Sequence, residues 1–173
     1  KVNIIGNEVF SDSDLMAGFE LQEGKWYSFL SNKDKYSKEK LKGDIENLES
    51  FYLDRGYLKF SIESSQVSVS KDKKDVFITL SISEGVQYTI DEVNVIGDMP
   101  IEEKMYTPIL DGLKDQIYSQ AQITSIEEYL VNYLGNEGYT FAEVTGNPEI
   151  NVEENTVSLI FLVQPGNRTY ARK

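Results

Sequence analysis

The chain has 173 residues, 40% of them apolar, which suits one ordinary domain or two small domains with packed cores. Its 29 acidic residues outnumber its 17 basic residues, so a net charge of −12 disfavours binding to nucleic acid or to anionic lipid. Cysteine and histidine are both absent, which excludes thiol catalysis and removes the usual general base and the commonest metal ligand.

The first predicted elements are one strand and two helices. Val2–Ile5 is a short apolar strand, and Ser11 followed by Asp14 is an N-cap signal for a short helix. Ser37 is predicted to cap the main helix, and Gly56 follows it where a left-handed C-terminal cap is required. The apolar stripe of this helix comprises Leu41, Ile45, Leu48 and Tyr52, with Phe51 beside it.

A hairpin of two strands follows the main helix. In its second strand Val76, Ile78, Leu80 and Ile82 occupy every second position, as one buried sheet face requires. The polar stretch 70–74 is predicted to be the hairpin loop. Because Val76–Ile82 is the more apolar strand, we expect it at the centre of a three-stranded sheet. Residues 60–69 then form an edge strand with unpaired backbone groups facing outward.

The first hairpin strand changes its apolar parity. The apolar residues are Leu58, Phe60 and Ile62 on even numbers, then Val67 and Val69 on odd numbers. A side-chain period of two brings both sets to one face only if one extra residue is inserted. We therefore predict a β-bulge within Glu63–Gln66. The alternative is a strand that ends at Ile62 and continues as a loop.

The same plan occurs twice along the chain. Tyr118-Ser119 follows Tyr36-Ser37 by 82 positions, and Gly138 follows Gly56 by 82 positions. In the second copy Ser119 and Gln122 form a predicted capping box, and residues 142–152 and 157–163 are the hairpin strands. The helical stripe there comprises Ile123, Ile126, Leu130 and Tyr133.

The ordered set of motifs resembles the POTRA domains of the BamA family. The segments 36–41, 52–57 and 67–69 resemble the third POTRA domain of that family, residues 88–166 resemble the fourth, and 167–173 resemble the start of the next. The chain begins without Met inside a predicted strand, so we expect it to be a fragment.

This resemblance implies an α+β fold of two tandem POTRA domains. Each is expected to be βααββ, with a three-stranded mixed sheet covered on one face by two helices. The expected boundaries are 1–86 for the first domain, 87–166 for the second and 167–173 for the beginning of a third.

The resemblance also implies a function. We expect a periplasmic, non-catalytic scaffold of an outer-membrane protein that belongs to the β-barrel assembly machinery of a Gram-negative bacterium. Its expected partners are a BamB-like lipoprotein and unfolded outer-membrane proteins, bound partly by β-strand addition, with no cofactor. The matching positions for the partner site are Glu63, Ser64, Ser65, Gln66, Val67, Ser68 and Val69. A POTRA pair from a two-partner secretion transporter or an organellar import barrel is the alternative.

The candidate catalytic residues have simpler explanations. Asp12 and Asp14 suit helix capping better than metal binding, because no further ligands lie nearby in the sequence. Glu153 and Glu154 fall at a predicted hairpin turn, where charged residues are solvated. A carboxylate-based hydrolase or lyase is the competing hypothesis, and a deep pocket holding two carboxylates with displaced pKa values would favour it.

Overall fold

The chain forms two compact units in a computed structural model that describes residues 1–20, 34–72 and 76–169, with only the backbone of residues 34–37. One unit comprises Lys1–Leu53 and Tyr57–Val86, and the other comprises Asp54–Gly56 and Gln87–Lys173. No helix in these described ranges is long and apolar enough to cross a membrane.

The first unit contains one three-stranded mixed sheet and two helices. In chain order its elements are β1 (Val2–Ile5), α1 (Asp12–Met16), α2 (Asp34–Leu53), β2 (Ser61–Val69) and β3 (Val76–Ser83). The strand order is β1-β3-β2, with β1 parallel and β2 antiparallel to β3. The predicted α+β fold is confirmed, with the more apolar hairpin strand in the centre.

The second unit repeats this arrangement. Its elements are β4 (Thr89–Gly97), α3 (Glu103–Asp111), α4 (Gln120–Asn136), β5 (Glu143–Asn151) and β6 (Thr156–Gln164). The strand order is β4-β6-β5, so the second hairpin strand is again central and the first is again an edge.

Each core lies between one face of the sheet and the helices. In the first unit Leu15 of α1 and Leu48 and Tyr52 of α2 are buried against the alternating residues of β3. In the second unit the corresponding residues of the central strand are fully or almost fully buried. These two sets are Val76, Ile78, Leu80 and Ile82 in β3, and Val157, Leu159, Phe161 and Val163 in β6.

The helix ends match the sequence signals at most positions. Ser11 caps α1 through a capping box with Asp14, and the Ser119 hydroxyl accepts from the Gln122 N–H at 3.3 Å. Gly56 and Gly138 adopt the predicted left-handed conformation, with φ of +89° and +98°. The N–H of the residue after each glycine donates back to a carbonyl in the last helical turn, which is the Schellman pattern.

The predicted N-cap at Ser37 is wrong. The helix already begins at Asp34, so Ser37 lies inside α2. A serine is tolerated within a helix, so Ser37 need not mark the start of one. The repeated Tyr-Ser pair therefore marks a helix boundary in the second unit alone.

The predicted β-bulge is confirmed. Ile62 pairs with Ile82 and Ser64 pairs with Ser81, so Glu63 is the extra residue. Beyond it Val67 pairs with Ile78, and because directly opposed residues share a face, the odd-numbered valines return to the core side of the sheet. Part of the predicted hairpin loop, residues 73 and 74, lies outside the described residues.

Candidate functional site

The seven residues predicted to bind a partner all lie in β2, at the edge of the first sheet. Glu63 is the bulged residue, and the other six run in regular register along β3. β2 is therefore one continuous edge, and the site is a strand rather than a pocket.

The backbone direction along β2 follows from the hydrogen bonds of β3. The Ile78 N–H donates to the Lys1 carbonyl at 2.9 Å, so the N–H and C=O groups of the even-numbered residues of β3 point to β1. The backbone groups of the odd-numbered residues of β3 must then point to β2. Their partners Ser64, Gln66 and Ser68 bond inward. By alternation the N–H and C=O groups of Ser65, Val67 and Val69 point away from the sheet.

The outward-facing groups of β2 are open. Within the described part of the chain, no backbone partner lies beyond β2, and Ser65, Val67 and Val69 make no other hydrogen bond. The stretch from Ser64 to Val69 contains no charged residue and no proline. Charges and proline are the usual devices that prevent a strand edge from pairing with another chain, and this stretch lacks both.

The side chains at this edge are incompletely covered. Val67 and Val69 lie on the core side of the sheet, yet 44% and 46% of their surface is exposed. A strand added beside β2 would place its own side chains against these two valines. Backbone pairing and apolar burial would therefore occur together at the same residues.

A buried carboxylate network lies elsewhere in the first unit. The Glu84 side chain accepts from the Tyr52 hydroxyl at 2.6 Å and from the N–H groups of Glu8 and Val9 at 2.9 and 3.0 Å. Burial raises the pKa of Glu84, but these hydrogen bonds outweigh burial and hold the pKa below its ordinary value. The network joins α2, the residue that follows β3 and the segment after β1, so its role is structural.

This network and a second buried carboxylate were not predicted from the sequence. Asp44 of α2 is fully buried, and its side chain accepts from the Glu20 N–H at 2.6 Å. Neither contact has a local signal, because each joins residues that are far apart in the sequence. Pro148 within β5 is a signal that the sequence does carry, because a proline inside a predicted strand indicates an edge whose missing donor faces outward.

The acidic residues weighed as catalytic or metal-binding groups have ordinary contacts. The Asp14 side chain accepts from the Ser11 N–H, and Asn151 Oδ1 accepts from the N–H groups of Glu153 and Glu154. The residues that the structure describes include no cluster of three or more metal-ligand side chains. An open depression of about 380 Å³ beside α2 is lined partly by acidic residues, but the Glu84 carboxyl is not among its walls.

Comparisons with known proteins agree with this architecture. The family model for POTRA, described as a surface antigen variable number repeat, matches residues 1–85 and 88–166. The outer membrane protein assembly factor BamA of Buchnera aphidicola subsp. Acyrthosiphon pisum (strain APS) is 30% identical over 99% of this chain and 28% of the relative. The BamA of Neisseria meningitidis serogroup B is 27% identical over 97% of this chain and 21% of the relative.

A solved structure shows the same fold. The crystal structure of POTRA domains 3–5 of Haemophilus influenzae BamA has a TM-score of 0.77 and 24% identity, covering 96% of this chain and 65% of that one. The resemblance to BamA POTRA domains that the motifs indicated is confirmed. The chain spans roughly a quarter of the length of the curated relatives above.

Proposed function

Because the chain belongs to the POTRA family, as two tandem repeats, we propose that it is a non-catalytic periplasmic scaffold in outer-membrane protein assembly. The proposed partners are a propeller lipoprotein of the BamB kind and unfolded outer-membrane protein chains. They bind, at least in part, by adding a strand to β2. The observation that carries the proposal is the open, uncharged edge from Ser64 to Val69.

The edge offers a defined set of contacts. Ser65, Val67 and Val69 present one N–H and one C=O each, spaced two residues apart, which is the pattern that an added strand requires. Each backbone hydrogen bond contributes only about 0.5–1.5 kcal/mol net, so several must form in register. Burial of Val67 and Val69 adds to them, and the sequence of the partner has little influence on the backbone part. Such an edge suits partners with different sequences.

The position of the bulge supports the same proposal. Glu63 interrupts the pairing at one end of the edge, so a partner strand can remain in register only along the stretch after it. Glu63 is also the one charged residue of β2. The bulge therefore limits the binding segment to six residues and sets where it begins.

The experiment compares two substitutions of one residue. Val67→Pro removes an outward donor that the fold does not use, whereas Val67→Thr keeps the donor and the β-branched shape. A fluorescein-labelled decapeptide of alternating Thr and Val, with blocked ends, serves as the extended partner. We expect the proline variant to lose binding of this peptide and of the purified propeller lipoprotein from the same bacterium, and the threonine variant to retain both.

Two controls make the result specific. The same peptide with an N-methyl group on every residue keeps its side chains but lacks backbone donors on both edges, so it should not bind. Circular dichroism should show that both variants melt like the parent chain. Equal binding by the parent and by a folded Val67→Pro variant would contradict strand addition at β2.

A further inference from the structure

The hairpin edges of the two units have the same strand order, but two features of the second unit change which backbone donors its edge offers. In the first unit Val67 lies opposite Ile78, the second buried residue of the central strand. In the second unit Pro148 lies opposite Leu159, which holds the same place in its strand. Pro148 is therefore the structural equivalent of Val67, and Gly146 is the equivalent of Ser65.

Pro148 removes a donor at the middle of the β5 edge. The register from Glu143 to Asn151 is unbroken across the proline, which is possible because its nitrogen faces away from β6. At the position where Val67 offers an outward N–H, β5 offers none. The proline ring also fills the space in which the carbonyl of an added strand would accept a hydrogen bond.

The next outward donor of β5 is already used. The Gly146 N–H donates to Glu127 Oε1 at 2.5 Å, which independently shows that even-numbered residues of β5 face away from β6. Glu127 lies in α4, eleven residues before Gly138, and Ile45 lies in α2, eleven residues before Gly56. Ile45 is partly buried against the core and has no acceptor, so the first unit lacks this contact.

The two residues together separate the remaining donors. Only Val144 and Ile150 keep outward N–H groups within β5 as the structure describes it. These two residues are six positions apart in the strand, which is about 20 Å. They therefore cannot donate to consecutive hydrogen-bonded pairs of an added strand. An incoming strand would meet one missing donor and one donor held by a carboxylate between them.

We infer that Glu127 and Pro148 close the hairpin edge of the second unit to strand addition and thereby direct extended partners to β2 of the first unit. The inference rests on the proposed function, because it concerns the choice between two edges for one mode of binding. It makes Glu127 and Pro148 specificity-determining residues that act by exclusion. The proline removes the donor permanently, whereas the carboxylate occupies the other donor.

The test restores the β5 donors in a chain whose β2 edge no longer binds. The starting variant, called the Val67→Pro parent, carries only Val67→Pro. Glu127→Ile and Pro148→Val are then added to it, which places the residues of the first unit at both positions and gives the opened chain. The probe is the labelled Thr-Val decapeptide. Two additional backbone hydrogen bonds should raise the affinity for the decapeptide about tenfold or more above that of the Val67→Pro parent. A tenfold change in affinity corresponds to about 1.4 kcal/mol.

The site of binding is measured separately. Hydrogen exchange should show peptide-dependent protection between Val144 and Ile150 in the opened chain and none there in the Val67→Pro parent. The Pro148→Val change alone, with Glu127 retained, should give a smaller gain. It also supplies a milder variant whose fold is less disturbed.

The outcomes distinguish this inference from the proposed function. If a folded opened chain, and the milder variant with it, bind no better than the Val67→Pro parent, the inference is wrong. If instead the natural chain and its Val67→Pro variant bind the decapeptide equally well, the proposed function is wrong. The comparison of the opened chain with its own parent still decides whether Glu127 and Pro148 close the edge.

Discussion

The Tyr52 hydroxyl donates a hydrogen bond of 2.6 Å to the Glu84 carboxylate inside the core of the first unit. Tyr52 is fully buried and its ring stacks on Phe60 at a centroid distance of 4.2 Å, so the hydroxyl has a fixed position. Burial and the neighbouring carboxylate raise the pKa of Tyr52, while the pKa of Glu84 is lowered. The second unit has Leu134 and Pro165 at the equivalent positions and lacks this pair.

We expect the first unit to lose stability in acid before the second unit does. The folded-state pKa of Glu84 is depressed, so its contribution is present above the ordinary value of 4.5 and is lost as pH falls through the lowered pKa. The pKa of Tyr52 is raised from 10.0, so its contribution is complete below pH 10 and declines above that. Hydrogen exchange of core amides, followed from pH 7 to pH 3, measures the two units separately.

Substitution of the pair tests its energetic role. Tyr52→Phe leaves the ring in place but removes one donor from a buried carboxylate, and it should cost about 1–3 kcal/mol of unfolding free energy. Glu84→Gln should cost a similar amount at pH 7 and should also flatten the acid dependence. Urea denaturation at pH 7 and pH 4 provides the measurement. An acid dependence that is unchanged in Glu84→Gln would show that another group is responsible.

A glycine pair at the end of α4 tests the C-cap. Gly138 has a φ of +98°, so Gly138→Val places a β-branched side chain in the left-handed region and should cost about 1–3 kcal/mol. Gly56→Val should act likewise at the end of α2. Gly135→Ala is the matched control, since a methyl group there meets nothing within 4 Å inside a helix, and it should stabilise by about 0.5–1 kcal/mol. Thermal melts that fail to separate the two α4 variants would refute the cap assignment.

Proline substitutions along β2 should alternate in their effect on stability. Gln66→Pro and Ser68→Pro each break a hydrogen bond to β3 and should cost roughly 3 kcal/mol or more. Ser65→Pro and Val69→Pro remove donors that face solvent and should leave the melting temperature close to that of the parent. A scan in which all four variants are equally destabilised would mean that the inward and outward residues of β2 are wrongly assigned.

The same alternation should appear in amide exchange without any substitution. The N–H groups of Val67 and Val69 are expected to exchange quickly, and those of Gln66 and Ser68 slowly, because only the latter pair with β3. In the second unit the Gly146 N–H should be protected although it faces outward, owing to its bond with Glu127. Glu127→Ile should make this one amide exchange quickly. Slow exchange at Val67 in the isolated chain would contradict an open edge.

Much of the candidate site could be predicted from the chain itself. The change of apolar parity between Ile62 and Val67 indicated a bulge, and the apolar character of Val76–Ile82 indicated a central strand, which made β2 an edge. Which backbone N–H and C=O groups of β2 point away from the sheet could not be predicted. It depends on the pairing of β3 with β1, which joins residues about 75 positions apart.

The sequence by itself determined the local features of this protein: the two copies, the alternation of the central strands, the helix caps at Ser11 and Ser119, and the glycines that end α2 and α4. These follow from periodicity and from backbone conformations that few residues tolerate, and both are properties of short segments. Tertiary structure decided which backbone donors of the two edges stay unpaired, although Pro148 itself is a signal in the sequence. The contact between Glu127 and Gly146 depends on how α4 packs against β5. The equivalence of Pro148 and Val67 depends on the register of each hairpin. A contact between distant segments depends on that three-dimensional register, which local sequence patterns do not contain.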